Sequence, residues 1–424
     1  MTKNTPRVEV SRFTLANGLR VVHSYDPSTA MVAVDVLYDT GARDEERHLT
    51  GMAHLFEHLM FGGSVNVPDF DAEIEGAGGS DNAWTSNDFT NFYDTVPAQN
   101  VETAFHLESD RMLALAFDTR SLEVQRHVVI EEFKQQCLNR PYGDLGHHLR
   151  RILYGRRHPY SWPTIGLEPE HIARVTSDDV RRWFYSHYAP NNAVVAVCGN
   201  VTLERTRELA EKWFGGIPRR EIAPRQLPEP QFPAGDVITT VSGPVPATAI
   251  AIAFPMEAYG TQGYLAADIL TDILAAGNAS RLYRRLIAAN AADGLFASAD
   301  ASISGSEHEG MLMFNAKLTR NSEADALLAR QMMIDIAGEM TLDGNITERE
   351  IQRTANRFEA AFRFNNLSYL GKATELALAE IHGEDINDRP EERRRISPGT
   401  LTSYARKIFG TPSATVIYRP AEMP

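Results

Sequence analysis

Residues 175–198, VTSDDVRRWFYSHYAPNNAVVAVC, have the pattern of a helix that turns directly into a strand. Thr176 is a typical helix N-cap residue, and the two acids at 178 and 179 suit the first turn of a helix. Pro190 and the asparagines after it predict a turn, and the apolar run 193–198 is rich in β-branched valine. The stretch therefore predicts an α+β fold, in which helices pack against a sheet.

The same pattern returns near the end of the chain, in residues 396–418, ISPGTLTSYARKIFGTPSATVIY. One offset of 221 residues pairs Thr176 with Ser397, Val180 with Leu401, Tyr188 with Phe409 and Val195 with Val416. A strand predicted over 31–38 also has a counterpart over 248–254, and a predicted helix follows each of them. Two pairs of elements in the same order predict a duplicated α+β domain.

Residues 219–233, RREIAPRQLPEPQFP, contain four prolines and show no periodicity. Such a stretch is typical of an extended linker between domains. We therefore expect a first domain over 1–218, a linker over 219–236 and a homologous second domain over 237–424.

The composition of the 424 residues excludes several classes of protein. It is 43% hydrophobic and 23% charged, which is typical of a globular chain. No run approaches the ~18 apolar residues that a membrane helix needs, and we expect no membrane association. The net charge of −14 argues against a nucleic-acid partner, because phosphate binding needs clustered Lys and Arg.

The two cysteines, Cys137 and Cys198, are too few for a disulfide framework. Both lie among apolar neighbours, so we expect them to be reduced core residues. The first 22 residues have no apolar core and no small-residue cleavage site of a secretory signal. We expect a cytoplasmic protein, or a periplasmic one if a signal has been removed.

Residues 51–63, GMAHLFEHLMFGG, contain a candidate metal-binding motif. On a helix, His54 and His58 lie one turn apart and project from one face, so both can bind one metal ion. Glu57 lies on that face and can take a proton from metal-bound water. The neighbouring residues are apolar, and polar groups on a buried helix need partners. Core histidines satisfied by neighbours would show the same spacing, so the motif alone leaves both interpretations open.

A hydrolytic zinc site needs a third protein ligand. Residues 121–136, SLEVQRHVVIEEFKQQ, predict a helix. Its apolar stripe consists of Leu122, Val129, Ile130 and Phe133. Glu132 lies at the margin of this stripe, and Glu131 points away from it. We therefore predict Glu132 as the ligand and Glu131 as a solvent-facing acid.

These motifs resemble the inverzincin zinc peptidases, the family of pitrilysin, insulin-degrading enzyme and mitochondrial processing peptidase. The HxxEH motif over 54–58 is the family hallmark, and 73 residues separate His58 from Glu132, close to the family spacing. Similar stretches lie at 39–45, 78–85, 108–112, 158–160 and 190–193. The resemblance thus extends over nearly the whole chain.

The resemblance implies two homologous domains, each a mostly antiparallel sheet covered by helices, which form half of a clamshell. It also implies one Zn²⁺ per chain, held by His54, His58 and Glu132, with Glu57 as the residue that activates water. The expected activity is that of a zinc metallopeptidase that hydrolyses extended peptides.

Asn82 and Ala83 match the family's edge strand, to which an extended peptide adds as a further strand. Without the resemblance, an ordinary hairpin or turn would be the simpler interpretation of these two residues. Gln125 stands where the family usually has an acid, seven residues before the distal ligand. It can hydrogen-bond to a metal ligand but adds no charge. We therefore expect Gln125 to influence the metal site by contacting a ligand, without binding the metal itself.

The second half departs from the active members of the family. Asp268, Thr271 and Asp272 stand where His54, Glu57 and His58 would repeat at an offset of 214 residues. The family's Arg and Tyr, which steady the substrate carbonyl, have no clear match. The Tyr position falls on Phe296 or Ala297, and no arginine occurs between Arg285 and Arg320.

The resemblance and these departures together predict a split enzyme. This chain would be the metal-bearing subunit, and a homologous chain would supply the Arg and Tyr, as a heterodimer or as a second copy. The alternative is a non-catalytic structural or peptide-binding subunit related to the core proteins of processing peptidases. The retained His54, Glu57, His58 and Glu132 favour the enzyme.

Overall fold

The computed structural model describes residues 7–290 and 294–421. The strands in these residues are β1 (Ser11–Thr14), β2 (Arg20–Tyr25), β3 (Met31–Tyr38), β4 (Ser80–Thr85), β5 (Thr90–Pro97), β6 (Ala193–Gly199), β7 (Val237–Gly243), β8 (Ala249–Met256), β9 (Phe296–Ser304), β10 (Gly310–Leu318) and β11 (Ala414–Pro420). The α-helices are α1 (Met52–Leu59), α2 (Phe70–Gly76), α3 (Val101–Leu113), α4 (Thr119–Phe133), α5 (Leu145–Tyr154), α6 (Pro169–Ala173), α7 (Ser177–His187), α8 (Leu203–Phe214), α9 (Gln262–Ala275), α10 (Glu323–Glu339), α11 (Glu348–Asn365), α12 (Tyr369–His382), α13 (Arg389–Arg395) and α14 (Pro398–Phe409).

The first sheet has six strands in the order β1-β2-β6-β3-β5-β4. Its neighbouring strands are antiparallel except for the parallel pair β2 and β6. Every residue of β6 is buried, and so is every residue of β3 after the first. Strands covered on both faces need nearly continuous apolar sequence, as both of these have. β4 lies at the edge of the sheet, where one side of its backbone has no neighbouring strand among the described residues.

The second sheet has five strands in the order β7-β11-β8-β10-β9, with one parallel pair, β7 and β11. Apart from β1, this order repeats that of the first sheet, strand for strand. The repeated helix starts also agree: the Thr176 side chain accepts from the Asp179 N–H, and the Ser397 side chain accepts from the Thr400 N–H. The structure therefore confirms the predicted α+β fold with two homologous, mostly antiparallel domains.

The chain forms two compact units, and each combines separate segments. The first unit contains the described residues up to Glu132 together with Thr164–Gln226 and Ala361–Arg389. The second unit contains Phe133–Pro163, Leu227–Ala360 and the described residues from Pro390 onward. This division differs from the predicted one, in which 1–218 and 237–424 were each continuous. The predicted linker contains the break at 226 and forms neither helix nor strand over 219–233.

The units differ from the predicted domains because each sheet is covered by a helix from the other half of the sequence. In the first unit, α12 packs on β2, β3 and β6. Its alanines, Ala373 and Ala377, lie in one core cluster with residues of these strands. In the second unit, α5 packs on β8 and β11 through Leu149 and Leu153. The short alanine side chains let α12 lie close to its sheet. Burial of apolar surface holds both helices in place.

Both cysteines are buried and form no disulfide, as predicted. Burial raises the pKa of the Cys137 thiol to about 11 and also raises the pKa of Cys198, so both are protonated near neutral pH. Among the described helices, we find none with the length and apolar character required to span a bilayer.

Asp35 on β3 provides a test of the packing between sheet and helix. It is fully buried; its Oδ2 accepts hydrogen bonds from Asn91 (3.1 Å) and Thr374 (2.7 Å), and its Oδ1 has no partner among the described residues. Burial raises the pKa of its carboxyl to about 7. Because the folded-state pKa lies above the unfolded one, folding disfavours the ionised form. Stability is therefore lost as the pH rises from about 4 through 7.

We expect Asp35→Asn to raise the free energy of unfolding at pH 8 by about 2–4 kcal/mol. The gain should shrink steadily toward pH 5, where the wild-type carboxyl is protonated in the folded state. Urea unfolding at pH 5, 6.5 and 8 measures it, and Asp71→Asn, at an exposed aspartate of α2, is the control. A gain that is the same at all three pH values would contradict the prediction.

Candidate metal centre

Helix α1 begins at a position fixed by a carboxylate from the preceding loop. Its N-cap residue, Gly51, has φ 89°, a left-handed conformation that favours glycine. The Glu45 side chain accepts hydrogen bonds from the N–H groups of Gly51 (3.1 Å) and Ala53 (2.9 Å). A carboxylate at this end satisfies otherwise free N–H groups and interacts favourably with the helix dipole. The helix start is thus held one turn before the first histidine.

His54, His58 and Glu132 converge on one point. Their potential ligand atoms all lie within 4.8 Å of one another. The Glu132 Oε2 atom is 3.7 Å from His54 Nε2 and 3.6 Å from His58 Nε2. Two ligands of a tetrahedral zinc ion are about 3.4 Å apart, since each lies ~2.0–2.2 Å from the metal. Two imidazoles and one carboxylate are also the ligand types of catalytic zinc sites, so these three residues fit a Zn²⁺ ion.

The surroundings of His54 suit a metal ligand. Burial, together with the nearby His58, lowers the pKa of His54 to about 4, so the imidazole is neutral near pH 7. Metal ligation requires this neutral form. Its Nδ1 atom is buried and makes no hydrogen bond within the described residues. The other ring nitrogen, Nε2, faces Glu132 and is the atom that would bind the metal ion.

Glu57 lies on the same helix but is not one of the three converging residues. Its Oε2 accepts a hydrogen bond of 2.5 Å from the Thr85 hydroxyl, at the end of β4. Burial raises the pKa of Glu57 to about 7; the Thr85 hydrogen bond opposes this shift and the charge of Glu132 adds to it. A carboxyl group with a pKa near neutrality can both accept and return a proton. The contact of Thr85 with Glu57 was not predicted, although strand alternation places residues 81, 83 and 85 on one face.

Asn82 and Ala83 lie on the edge strand β4, which forms a hairpin with β5. The Ser86 N–H donates to the Phe89 carbonyl (2.8 Å) and closes this hairpin. By antiparallel alternation, the backbone of Asn82 then faces β5, and the backbones of Ala83 and Thr85 face the free edge. The Ala83 N–H donates to the Asn82 side-chain oxygen (2.8 Å), which agrees with this orientation. The free edge therefore offers the backbone groups that an added strand needs.

The remaining predicted residues lie on α4. Gln125 is half-buried and forms no hydrogen bond to the three converging residues or to Glu57 in the part of the chain that the structure describes. Glu131 is exposed, and Glu132 is half-buried. Glu132 is thus less exposed than Glu131, as expected if Glu132 lies at the margin of the apolar stripe and Glu131 points away from it.

The corresponding positions of the second half contain an ion pair. Arg393 of α13 is buried, and its guanidinium contacts the carboxylates of both Asp268 and Asp272, the latter at 2.9 Å. It also stacks on Phe358, with its central carbon 4.1 Å from the ring centre. A guanidinium thus lies between the two side chains that stand in the places of the histidines. Of the two candidate positions for the family's tyrosine, Phe296 is buried at the start of β9.

Two domain models of one peptidase family match the chain. Residues 20–148 match the profile described as insulinase (peptidase family M16), and residues 174–380 match the profile described as peptidase M16 inactive domain. Together these matches cover more than half of the chain. Zinc protease PqqE of Helicobacter pylori is 28% identical over 417 residues, which are 96% of this chain and 92% of that relative. The mitochondrial-processing peptidase subunit beta of Saccharomyces cerevisiae is 27% identical over 360 residues, 82% of this chain and 76% of the relative.

Solved structures show the same fold. A crystal structure of a protease from Helicobacter pylori matches with a TM-score of 0.88 at 26% identity, over 98% of this chain and 100% of that one. Pitrilysin matches with a TM-score of 0.79 at 18% identity, over 100% of this chain and 46% of the pitrilysin chain. The chain thus aligns with about half the length of pitrilysin, and this likeness shows a shared fold.

Proposed function

Because the chain belongs to the peptidase M16 family, we propose that it is a zinc-dependent peptidase that hydrolyses extended peptides. One observation carries the proposal: His54, His58 and Glu132 converge, and Glu57, with a pKa near 7, lies beside them. A purely structural zinc site usually has four protein ligands and needs no general base. Three ligands with an adjacent carboxylate are the arrangement of a hydrolytic site.

The residues of this chain have separate tasks in peptide hydrolysis. His54, His58 and Glu132 would hold the Zn²⁺ ion, which supplies a Lewis acid that polarises a carbonyl and lowers the pKa of water. Glu57 takes the proton from the attacking water and delivers it to the nitrogen of the leaving amine. Neither Cys137 nor Cys198 takes part, because both are buried and protonated.

The substrate binds as a strand added to β4. The outward-facing backbone of Ala83 pairs with the peptide backbone, and Asn82, whose side chain occupies the Ala83 N–H, must release it. Backbone pairing accepts many sequences, and side-chain pockets give the selectivity. Extended or unfolded peptides are therefore the substrate class.

We further propose that the active enzyme is a pair of homologous chains. The second half has no clear match to the family's Arg and Tyr, and it matches an inactive domain of the family. Its counterpart positions, Asp268 and Asp272, are engaged by Arg393. A partner subunit would supply the Arg and Tyr that stabilise the developing oxyanion. The yeast relative is named as a subunit, which supports this arrangement.

A non-catalytic subunit is the second candidate, and the match to an inactive domain over 174–380 is the observation that favours it. That match begins at residue 174 and therefore leaves α1 and Glu132 outside. Retention of the ligand set and of Glu57 favours the enzyme. The two functions differ in one result, since only the enzyme turns over peptides.

Hydrolysis of an unstructured peptide library tests the proposal, with the zinc-loaded chain alone and with its homologous partner chain. We expect cleavage with the partner and a rate at least about 100-fold lower without it, since loss of one oxyanion-stabilising donor alone costs 10²–10³-fold. Full activity of the single chain would overturn the split site and keep the peptidase. No cleavage in either mixture, with zinc bound, would favour the non-catalytic subunit.

A further inference from the structure

The hydrogen bond from Thr85 to Glu57 joins the edge strand to the metal-binding helix. We propose that Thr85 is a positioning residue, which fixes the carboxylate of Glu57 relative to a peptide bound along β4. This inference rests on the proposed peptidase function and adds to it a residue that touches neither the metal ion nor the reacting atoms. Such positioning requires that Thr85 and Glu57 are held firmly relative to each other.

The turn that follows Thr85 is anchored to the loop before the metal-binding helix. The carbonyls of Ser86 and Asn87 accept hydrogen bonds from the N–H groups of Ala42 (3.1 Å) and Arg43 (2.7 Å). The buried Arg43 side chain also donates to Asp88 at 2.9 Å. The hairpin and the loop are thus connected by two backbone hydrogen bonds and by one side-chain hydrogen bond. The end of β4 is therefore tied to this loop by hydrogen bonds.

The same loop also holds the start of α1. A Cβ atom on Gly41 would come within 2.7 Å of the carbonyl oxygens of Ser86 and Asn87, so the close approach of loop and turn requires glycine. A few residues later, Glu45 accepts the N–H groups that begin the helix. One short segment thus sets the positions of both Thr85 and α1. The two side chains that form the hydrogen bond are therefore positioned by the same loop.

The chemistry of the two side chains suits this task. Threonine is branched at Cβ, which restricts its χ1 angle, so its hydroxyl is held in direction. The hydrogen bond occupies one oxygen of the Glu57 carboxylate, Oε2, and we assign proton transfer to the other oxygen, Oε1. The backbone of Thr85 faces the free edge of β4, where a bound peptide would pair. One residue therefore contacts the peptide backbone through its main chain and the general base through its side chain.

Kinetics of Thr85→Val and Thr85→Ser, in the assembly that cleaves peptides, test this role. Valine has nearly the same shape but no hydroxyl, and serine keeps the hydroxyl. We expect Thr85→Val to lower kcat about 10–100-fold, the range for loss of a hydrogen bond to a charged group, with KM changed less than about threefold. Thr85→Ser should retain most of the wild-type kcat, and both variants should hold one zinc ion per chain.

A second readout does not depend on turnover. In crystal structures of the zinc-loaded proteins, the Glu57 carboxylate should keep one orientation in wild type and Thr85→Ser, and should rotate or split in Thr85→Val. An unchanged carboxylate with unchanged kcat would overturn the inference, and so would a rise in KM alone, which would assign Thr85 to strand binding. If no form cleaves peptides, the proposed function fails, and the crystal structures still decide whether Thr85 positions Glu57.

Discussion

Glu57→Gln is expected to lower kcat/KM for peptide hydrolysis by about 10²–10⁴-fold, the usual contribution of a general acid–base residue. Glutamine keeps the size of the side chain and can still accept the Thr85 hydrogen bond through its amide oxygen. It cannot take a proton from water near neutral pH. Because Glu57 is not among the converging ligands, the variant should still bind one zinc ion per chain.

Peptide cleavage in the active assembly and the zinc content by atomic emission measure the two quantities separately. Glu131→Gln is the matched control, since it makes the same chemical change at an exposed acid of α4. Its activity should equal that of wild type. Loss of zinc from Glu57→Gln would show that the carboxylate is a ligand, and full activity would show that another group moves the proton.

The second large effect is on stability. Arg111→Met is expected to lower the free energy of unfolding by about 3–5 kcal/mol, because it leaves a buried charge without its partner. Arg111 and Glu108 are both fully buried and form a two-pronged ion pair, with Nε donating to Oε2 at 2.8 Å. The guanidinium also lies against the rings of Phe70 and Phe92. The nearby Asp94 carboxyl is also buried; burial, together with the charge of Glu108, raises its pKa well above the usual range.

The double variant Arg111→Met with Glu108→Gln separates loss of the pair from loss of volume. It removes both charges, and we expect it to recover at least half of the stability lost in the single variant. Urea unfolding at pH 7 of wild type and the two variants gives the values. A single variant within about 1 kcal/mol of wild type would show that the unpaired Glu108 is neutralised at little cost.

The sequence was most informative where the controlling interactions are local. The N-caps Thr176 and Ser397 and the strands after their helices follow from side chains that act on backbone a few residues away. The spacing of His54 and His58 also follows from helix geometry alone. Glu132 required one further step, the margin of an apolar stripe, and the structure places it beside both histidines.

Contacts between distant segments could not be predicted in the same way. The Thr85–Glu57 hydrogen bond joins a strand to a helix, and the alternation of β4 gives the face of Thr85 but not its partner. In the sequence, Arg393 is one of three consecutive arginines, a pattern typical of an exposed helix end. In the structure it is buried between two acids of α9. Such pairings depend on how the elements pack, which amphipathic patterns leave undetermined.

The exchange of α5 and α12 between the two sheets sets an order of events during synthesis. The face of β2, β3 and β6 that α12 covers stays exposed until the ribosome has added some 170 further residues after β6. Domains that fold during translation normally use residues already synthesised. Here the first unit cannot complete its core before nearly the whole chain has emerged. A truncated product that ends after β6 would therefore expose an apolar sheet face. Only a chain that extends through α12 can bury it.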